Sequence, residues 1–260
     1  MHLPRSIRNP WAAAIGIALL AAAATACDEE KKPDAPDAVA TTAPAVPTIP
    51  PPVRMPEVTL TATSVQAGID DLQIAVPSFD AALKRLIEKY PVSTPEVVVL
   101  NADRKVSTPL AIKIAYALFD AGAKAIEVRT KPRGSFPGAL KIQSDKQAGK
   151  VPPCAFAATI QENFGVAFWP VRGGQGKRYS KGMAGPDLSA MHEVFAKDEA
   201  SCTSTVFFFS ADATVEWGHA YDLATSVVAH EPHYKIQTIV LLHDEPAAGK
   251  PVKLPDGTAK

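Results

Sequence analysis

Val97-Val98-Val99-Leu100-Asn101-Ala102-Asp103 and Val206-Phe207-Phe208-Phe209-Ser210-Ala211-Asp212 are two versions of one pattern, and they decide how the chain is read. Each is an apolar strand-like run that ends in a polar residue and Ala-Asp. Each is followed, three residues after the aspartate, by a valine, Val106 or Val215. Helical patterns come next, from Pro109 to Asp120 and from Gly218 to Ala229, and each copy finishes in a strand, Ala125 to Thr130 and Ile236 to Leu242. The copies are 109 residues apart at the aspartates (212 minus 103) and 113 at the last strand (241 minus 128). The second therefore carries about four extra residues, around His230 to His233.

The match extends upstream. Val58 to Ala62 alternates as a half-buried strand does, and Ala155 to Ile160 does so less cleanly. A second strand is predicted over Leu72 to Val76 and over Val166 to Val171. Phe79, Leu83, Leu86 and Ile87 then share a helix face, with Ser78 at the N-cap, and Leu188, Met191, Val194 and Phe195 do the same after Pro186-Asp187. Each half thus reads β-β-α-β-α-β. The expected architecture is α+β: two small tandem domains, 57–133 and 150–245, with a C-terminal tail at 246–260.

The N-terminus reads as an export signal. Arg5 and Arg8 precede an apolar run from Trp11 to Ala23, which ends in Ala24-Thr25-Ala26-Cys27. The run is short for a spanning helix, and small residues before a cleavage point mark a signal peptide. A cysteine at that point resembles a lipobox, apart from Ala24 where leucine is usual. The resemblance implies removal of residues 1–26 and lipidation of Cys27. The competing reading is an ordinary secretory signal with a chance cysteine. Asp28 resembles an inner-membrane retention signal, which favours that membrane over the outer one. Residues 27–56 form a tether: a charged run from Asp28 to Lys32, then Pro, Ala and Thr, closed by Pro50-Pro51-Pro52. Such a composition cannot bury a core and favours extended polyproline II, at about 3.1 Å per residue.

The whole chain has 27 basic and 27 acidic residues, so loss of Arg5 and Arg8 leaves 25 minus 27, or −2. Nucleic-acid binding would want a basic face and is not expected. With Cys27 lipidated, Cys154 and Cys202 remain, and in an oxidising compartment they read as a disulfide; the alternative is two buried thiols.

Ala102-Asp103-Arg104-Lys105-Val106, a helix, and Asp120-Ala121-Gly122-Ala123-Lys124-Ala125-Ile126-Glu127-Val128 together resemble the periplasmic domain of the ExbD/TolR family. The resemblance covers about Glu57 to Thr130. In the second half, about Pro153 to His243, it is carried by Ala211-Asp212 and Val215 alone. That family has an N-terminal transmembrane helix with a proton-path aspartate, whereas residues 1–26 here contain no acidic residue. The resemblance implies the periplasmic task instead: dimerisation, contact with ExbB/TolQ-like or TonB/TolA-like proteins, or association with peptidoglycan. A tandem copy could form the dimer within one chain, as a pseudo-dimer.

Asp103 and Asp212 are better turn residues than catalytic carboxylates, because no partner acid or base recurs beside both. His192, His219, His230, His233 and His243 are concentrated in the second half, yet His230-Glu231-Pro232-His233 lacks the helical i, i+4 spacing of zinc hydrolases, and Pro232 breaks the helix. The Gly-rich run from Arg172 to Gly182 is not a phosphate loop, since Val171 and Arg178 stand where glycine and serine or threonine are required. It reads first as a mobile basic loop; the alternative is that its Arg172, Lys177, Arg178 and Lys181 contact an anionic partner or a glycan. No Gly-x-Ser-x-Gly or Cys-x-x-Cys occurs, and Trp169, Trp217 and Phe207 to Phe209 read as core or interface. The expectation is a non-enzymatic binding or scaffolding lipoprotein on the periplasmic face, with no catalytic residue, metal or cofactor. It would be either an accessory to a TonB/Tol-type system or a peptidoglycan-binding protein.

Overall fold

Most of the strand-like runs become strands where the repeat places them, but the strand expected over Leu72 to Val76 lies earlier, at Asp70–Gln73, with 74–76 in a turn. The computed structural model describes residues 55–92, 97–183, 185–199, 201–229 and 235–255. The signal peptide, Cys27, the tether as far as residue 54, His230 and His233 lie outside the described residues. The first half contains β1 (Val58–Leu60), β2 (Ser64–Ala67), β3 (Asp70–Gln73), α1 (Phe79–Lys89), β4 (Val97–Ala102), α2 (Thr108–Asp120) and β5 (Ala125–Arg129). A further strand, β6 (Ala139–Ser144), follows. The second half contains β7 (Phe156–Ile160), β8 (Val166–Pro170) and β9 (Lys177–Tyr179), a small hairpin of β10 (Lys181–Gly182) and β11 (Gly185–Pro186), then α3 (Leu188–Glu199), β12 (Val206–Ala211), α4 (Trp217–Val228) and β13 (Thr238–Leu241). Setting the hairpin aside, both halves run β-β-β-α-β-α-β.

The fold is mixed α+β, built on one eleven-stranded sheet in the order β3-β2-β1-β4-β5-β6-β13-β12-β7-β8-β9. The halves are joined through β6, which pairs antiparallel with β5 (Ile126 opposite Ile142) and parallel with β13 (Ile142 opposite Ile239). Strand order and direction both reverse across β6, as a two-fold rotation about the sheet normal would make them. Residues Pro50–Lys260 therefore form one compact unit where two domains were expected. The reason lies in Ala139 to Ser144. This stretch fell in the gap left between the domains, but its alternating burial marks it as a strand, and it covers the open edges that β5 and β13 would otherwise expose.

Local differences have local causes. Each half opens with a three-strand meander rather than a strand pair, because Ser64 to Ala67 turns back on β1, with Leu60 opposite Val65. Ser78 occupies the N-cap position of α1 but makes no side-chain capping bond.

The four α-helices of the described residues pack on one face of the sheet, over a core that runs through both halves and includes Leu60, Leu100, Ile114, Ile142, Phe209 and Trp217. The other face is treated differently in each half. In the first half no described residue covers it, and the strands alternate: β4 buries Val98, Leu100 and Ala102 while Val97 is 41% exposed. In the second half a strap after β13 closes it over Trp169, Val171, Phe208, Val240, Leu242 and Val252. Burial on both faces is why Phe207-Phe208-Phe209 and Phe156 to Ile160 are continuously apolar. The strap is fixed by three bonds: Val252 N to Val171 O (2.8 Å), Trp169 Nε1 to Lys250 O (2.9 Å) and Gly174 N to Gly249 O (3.0 Å). Gly173 sits beneath it at φ +85°, and a Cβ there would lie 2.8 Å from Pro251. The tail expected at 246–260 is thus partly structural, with Val252 buried.

Cys154 and Cys202 form the expected disulfide, with a Cα–Cα distance of 5.6 Å. It fastens the approach to β7 onto the connection between α3 and β12.

Candidate functional site

The two Ala-Asp loops do not stand apart. Each leaves its strand and meets the other before the helix begins. Trp217 N donates to Val106 O (2.7 Å), and Thr108 N donates to Val215 O (3.2 Å). These are the same bond made once from each copy, since 106 and 215, and 108 and 217, are equivalent positions. A Ser107–Glu216 antiparallel bridge lies between them. The aspartates shape the loops: Asp103 Oδ1 accepts from Lys105 N (2.9 Å), and Asp212 Oδ1 accepts from Thr214 N (2.8 Å) and from the Thr214 hydroxyl.

Where each loop passes the first turns of the other half's second helix, the copies diverge. In the first, Arg104 lies across the start of α4. Its guanidinium forks onto Asp222, with Nη1–Oδ1 at 2.8 Å and Nη2–Oδ2 at 2.6 Å, and Nη1 also donates to Lys131 O at 2.9 Å. Asp222 is 1% exposed. The hydrogen bonds to it hold Arg104 above the ordinary guanidinium range, against desolvation. Gly218 permits this approach, because a Cβ there would sit 2.8 Å from Arg104 Cβ.

At the equivalent place in the second copy, Ala213 replaces Arg104, Lys113 replaces Asp222 and Pro109 replaces Gly218. The space is an open pocket of about 530 Å³ between α2, the end of β12 and residues 243–245. Tyr116 and Ile112 form its wall, and Lys113, Asp120, His243, Asp244 and Glu245 supply its charged and titratable groups. The Tyr116 hydroxyl donates to Leu241 O (2.8 Å), and burial raises its pKa well above the ordinary phenol value. His243 stacks edge-on against the Tyr116 ring, with centroids 4.7 Å apart. Burial, then the charge of Asp212, holds the Glu245 carboxyl above its usual range, while Asp212 itself is lowered by the Thr214 hydroxyl.

The basic residues singled out in the sequence are all exposed but do not form one cluster. On β9, Lys177 lies opposite Phe168 of the helix-side core and Arg178 opposite Ala167 of the strap-side core, so strand alternation sends them to opposite faces. Arg172 precedes the Gly173 turn held under the strap. Lys181 stands over the Phe164 ring, 5.0 Å from its centroid. The hairpin beyond Lys181 forms one side of a second groove, of about 510 Å³, with Arg133 to Phe136 on the other side and fully exposed Met183 at its rim. Behind the hairpin, His219 packs against Phe164 and Gly185, and burial depresses its pKa.

Among the described residues, no group of three His, Cys, Asp or Glu side chains is placed to hold a metal ion. His192, His219 and His243 lie in separate environments. Comparison with models of known families, with curated proteins and with solved structures finds no match. The features that the sequence reading missed are the Arg104–Asp222 fork and the open slot. Their signal was present in the aligned copies, as the paired changes at 104/213, 109/218 and 113/222.

Proposed function

We propose that the protein is a non-enzymatic binding and scaffolding lipoprotein of the cell envelope, anchored through Cys27 and held off the membrane by its Pro/Ala-rich tether. In this reading the folded part is a tandem pair of ExbD/TolR-like units that makes an internal pseudo-dimer. The observation that carries it is the meeting of the two Ala-Asp loops: the same seven-element order occurs twice, and the copies exchange equivalent backbone bonds. The Cys154–Cys202 bond supports an oxidising compartment, the periplasmic face, with the inner membrane favoured by Asp28. The partners are ExbB/TolQ-like or TonB/TolA-like proteins, which would make the protein an accessory of a biopolymer transport system. The second reading, a peptidoglycan-binding lipoprotein without a motor role, is favoured by the exposed basic side chains around β9.

A cross-linking pull-down of the intact lipoprotein from membranes tests both. The control replaces Arg172, Lys177, Arg178 and Lys181 by serine, because deleting the segment would remove β9. Recovery of motor or TonB-like proteins supports the first reading. Co-sedimentation with purified peptidoglycan, lost in the serine variant, replaces it with the second. Cleavage of labelled glycan or peptide by the purified protein would overturn the non-enzymatic assignment.

A further inference from the structure

With β6 joining the halves, β3 and β9 end the sheet, and among the described residues no strand lies beyond either. In the first copy, the turn at Gly68-Ile69 closes on the pair Ala67 and Asp70, and Ile74 N donates to Thr63 O at 2.9 Å. Bonded and non-bonded pairs alternate along an antiparallel ladder, so Asp71 and Gln73 turn their N–H and C=O groups outward. In the second copy, Gln161 N donates to Gly165 O and Val171 N to Ala155 O, so Gly165 and Ala167 address β7 while Val166 and Phe168 address β9. Tyr179 and Lys177 therefore bond to β8, and Arg178 between them turns its N–H and C=O outward. The outward residue is an aspartate at one edge and an arginine at the other, and both are exposed. We propose that β3 of one copy of this chain pairs with β9 of a second copy, with Asp71 opposite Arg178, so that the sheets join head to tail. This contact is independent of the envelope partners proposed above.

Direction and side both agree with this joint. β3 runs with β1, β4 and β5, and β9 runs the other way, with β7, β12 and β13. Shifting one copy sideways along its own sheet therefore sets β9 antiparallel against β3, with the helices of both copies on one side. Asp71 lies opposite Gln66, between buried Val65 and Ala67, and Arg178 lies opposite Ala167 of the strap-side core, so both side chains are on the face away from the helices. In this register the two residues exchange both backbone bonds and lie as a directly opposite pair. Asp71 accepts from Gln73 Nε2 at 3.0 Å, whereas Asp70 is held on the helix side by Lys89 and Tyr90. Ile69, at the turn before β3, and Met183, at the tip of the hairpin that continues β9, come to the same end of the joint, and both are almost fully exposed. Charged residues on an edge deter pairing, but these deter like edges alone: two β9 strands would set Arg178 against Arg178, and the outward positions of β3 hold no cation. Each joint leaves one β3 and one β9 at the ends, so addition of copies continues.

The test is sedimentation of the full chain, purified from membranes in a density-matched detergent, over a range of protein concentration. The wild type should grow continuously with concentration and without a plateau at the dimer, and growth should weaken as salt is raised. Asp71→Lys alone sets lysine against arginine, Arg178→Glu alone sets aspartate against glutamate, and each should need about 5-fold more protein for the same association. An equimolar mixture of the two variants should recover the wild-type concentration dependence, because every joint in an alternating array again pairs opposite charges. If circular dichroism shows that either reversal fails to fold, Asp71→Asn and Arg178→Gln replace them, each expected to weaken association about 3-fold. A monomer at all concentrations, a closed dimer, folded single variants that associate as the wild type does, or a mixture no better than its parts would each overturn the proposal.

Discussion

Replacing Arg104 by methionine should be among the most damaging single changes outside the apolar core. The substitution keeps much of the aliphatic stem and removes both bonds to Asp222 and the bond to Lys131 O. The carboxylate left behind is 1% exposed and sits within α4. Breaking a buried ion pair from one side costs about 3–5 kcal/mol. The Arg104 side chain is itself 26% exposed, so water reaches the vacated side and the lower end, about 3 kcal/mol, is expected. For a folded unit of this size that corresponds to a fall in Tm of about 6–12 °C. Asp222→Leu alone should also destabilise, by leaving a partly buried guanidinium. The double variant should recover about 2 kcal/mol relative to the sum of the two, since neither charge is then stranded. Urea unfolding of the four proteins, followed by tryptophan fluorescence, reads all of this. Arg104→Met costing less than about 1 kcal/mol, or strict additivity in the cycle, would refute the claim that the fork holds the loop to α4.

Other consequences can be checked in the same way. Gly218→Ala should push Arg104 off α4 and destabilise the protein, and because the nearest atom is Arg104 Cβ, which methionine keeps, much of the cost should persist in an Arg104→Met background. Reducing Cys154–Cys202, or replacing both residues by serine, should cost about 4 kcal/mol for a loop closed over a separation of 48 residues, measured by urea titration with and without reductant. His219 is held neutral by burial, so its folded pKa lies below the ordinary 6.5. Its stability contribution is present above that pH and declines as pH falls below it; Tm should drop between pH 7 and pH 5, and less so in His219→Gln. Glu245 has the opposite sign, because a raised carboxyl binds its proton more tightly in the folded state. Stability should fall as pH rises above the usual glutamate value, and Glu245→Gln should be the more stable protein at pH 7 by thermal melting, but not at pH 4.

Much of this architecture can be read in the chain because the repeat is written in local patterns. The runs ending in Ala102-Asp103 and Ala211-Asp212, the helices after them and the final strands lie where periodicity puts them, with α2 beginning one residue earlier than expected. What escaped is long-range. Ser64-Val65-Gln66-Ala67 is too short and polar to announce a strand, and it becomes one by lying against β1. Ala139 to Ser144 alternates plainly, but nothing local says that Ile142 will pair with both Ile126 and Ile239 and so merge two expected domains. The strap carries the glycines and prolines of a loop, Gly249, Pro246 and Pro251, yet Val252 is buried against the segment after a distant strand, where its N–H meets Val171 O. The basic run illustrates the reverse. A cluster in sequence, Lys177-Arg178, is divided in space by the alternation of the strand that carries it.

The single copy of β6 has a further consequence, one of parity. A rotation axis perpendicular to a sheet exchanges each strand with a partner running the other way. A strand on the axis would have to be its own reverse, which a directional chain cannot be. Eleven strands, with β6 between the halves, therefore cannot be divided into two equal contributions. Two identical half-chains, each bringing its own β6, would supply one central strand too many. This sheet closes only when the halves are unequal, and joining them in one chain lets them differ. Because the halves need not match, one carries arginine at 104 and the other alanine at 213.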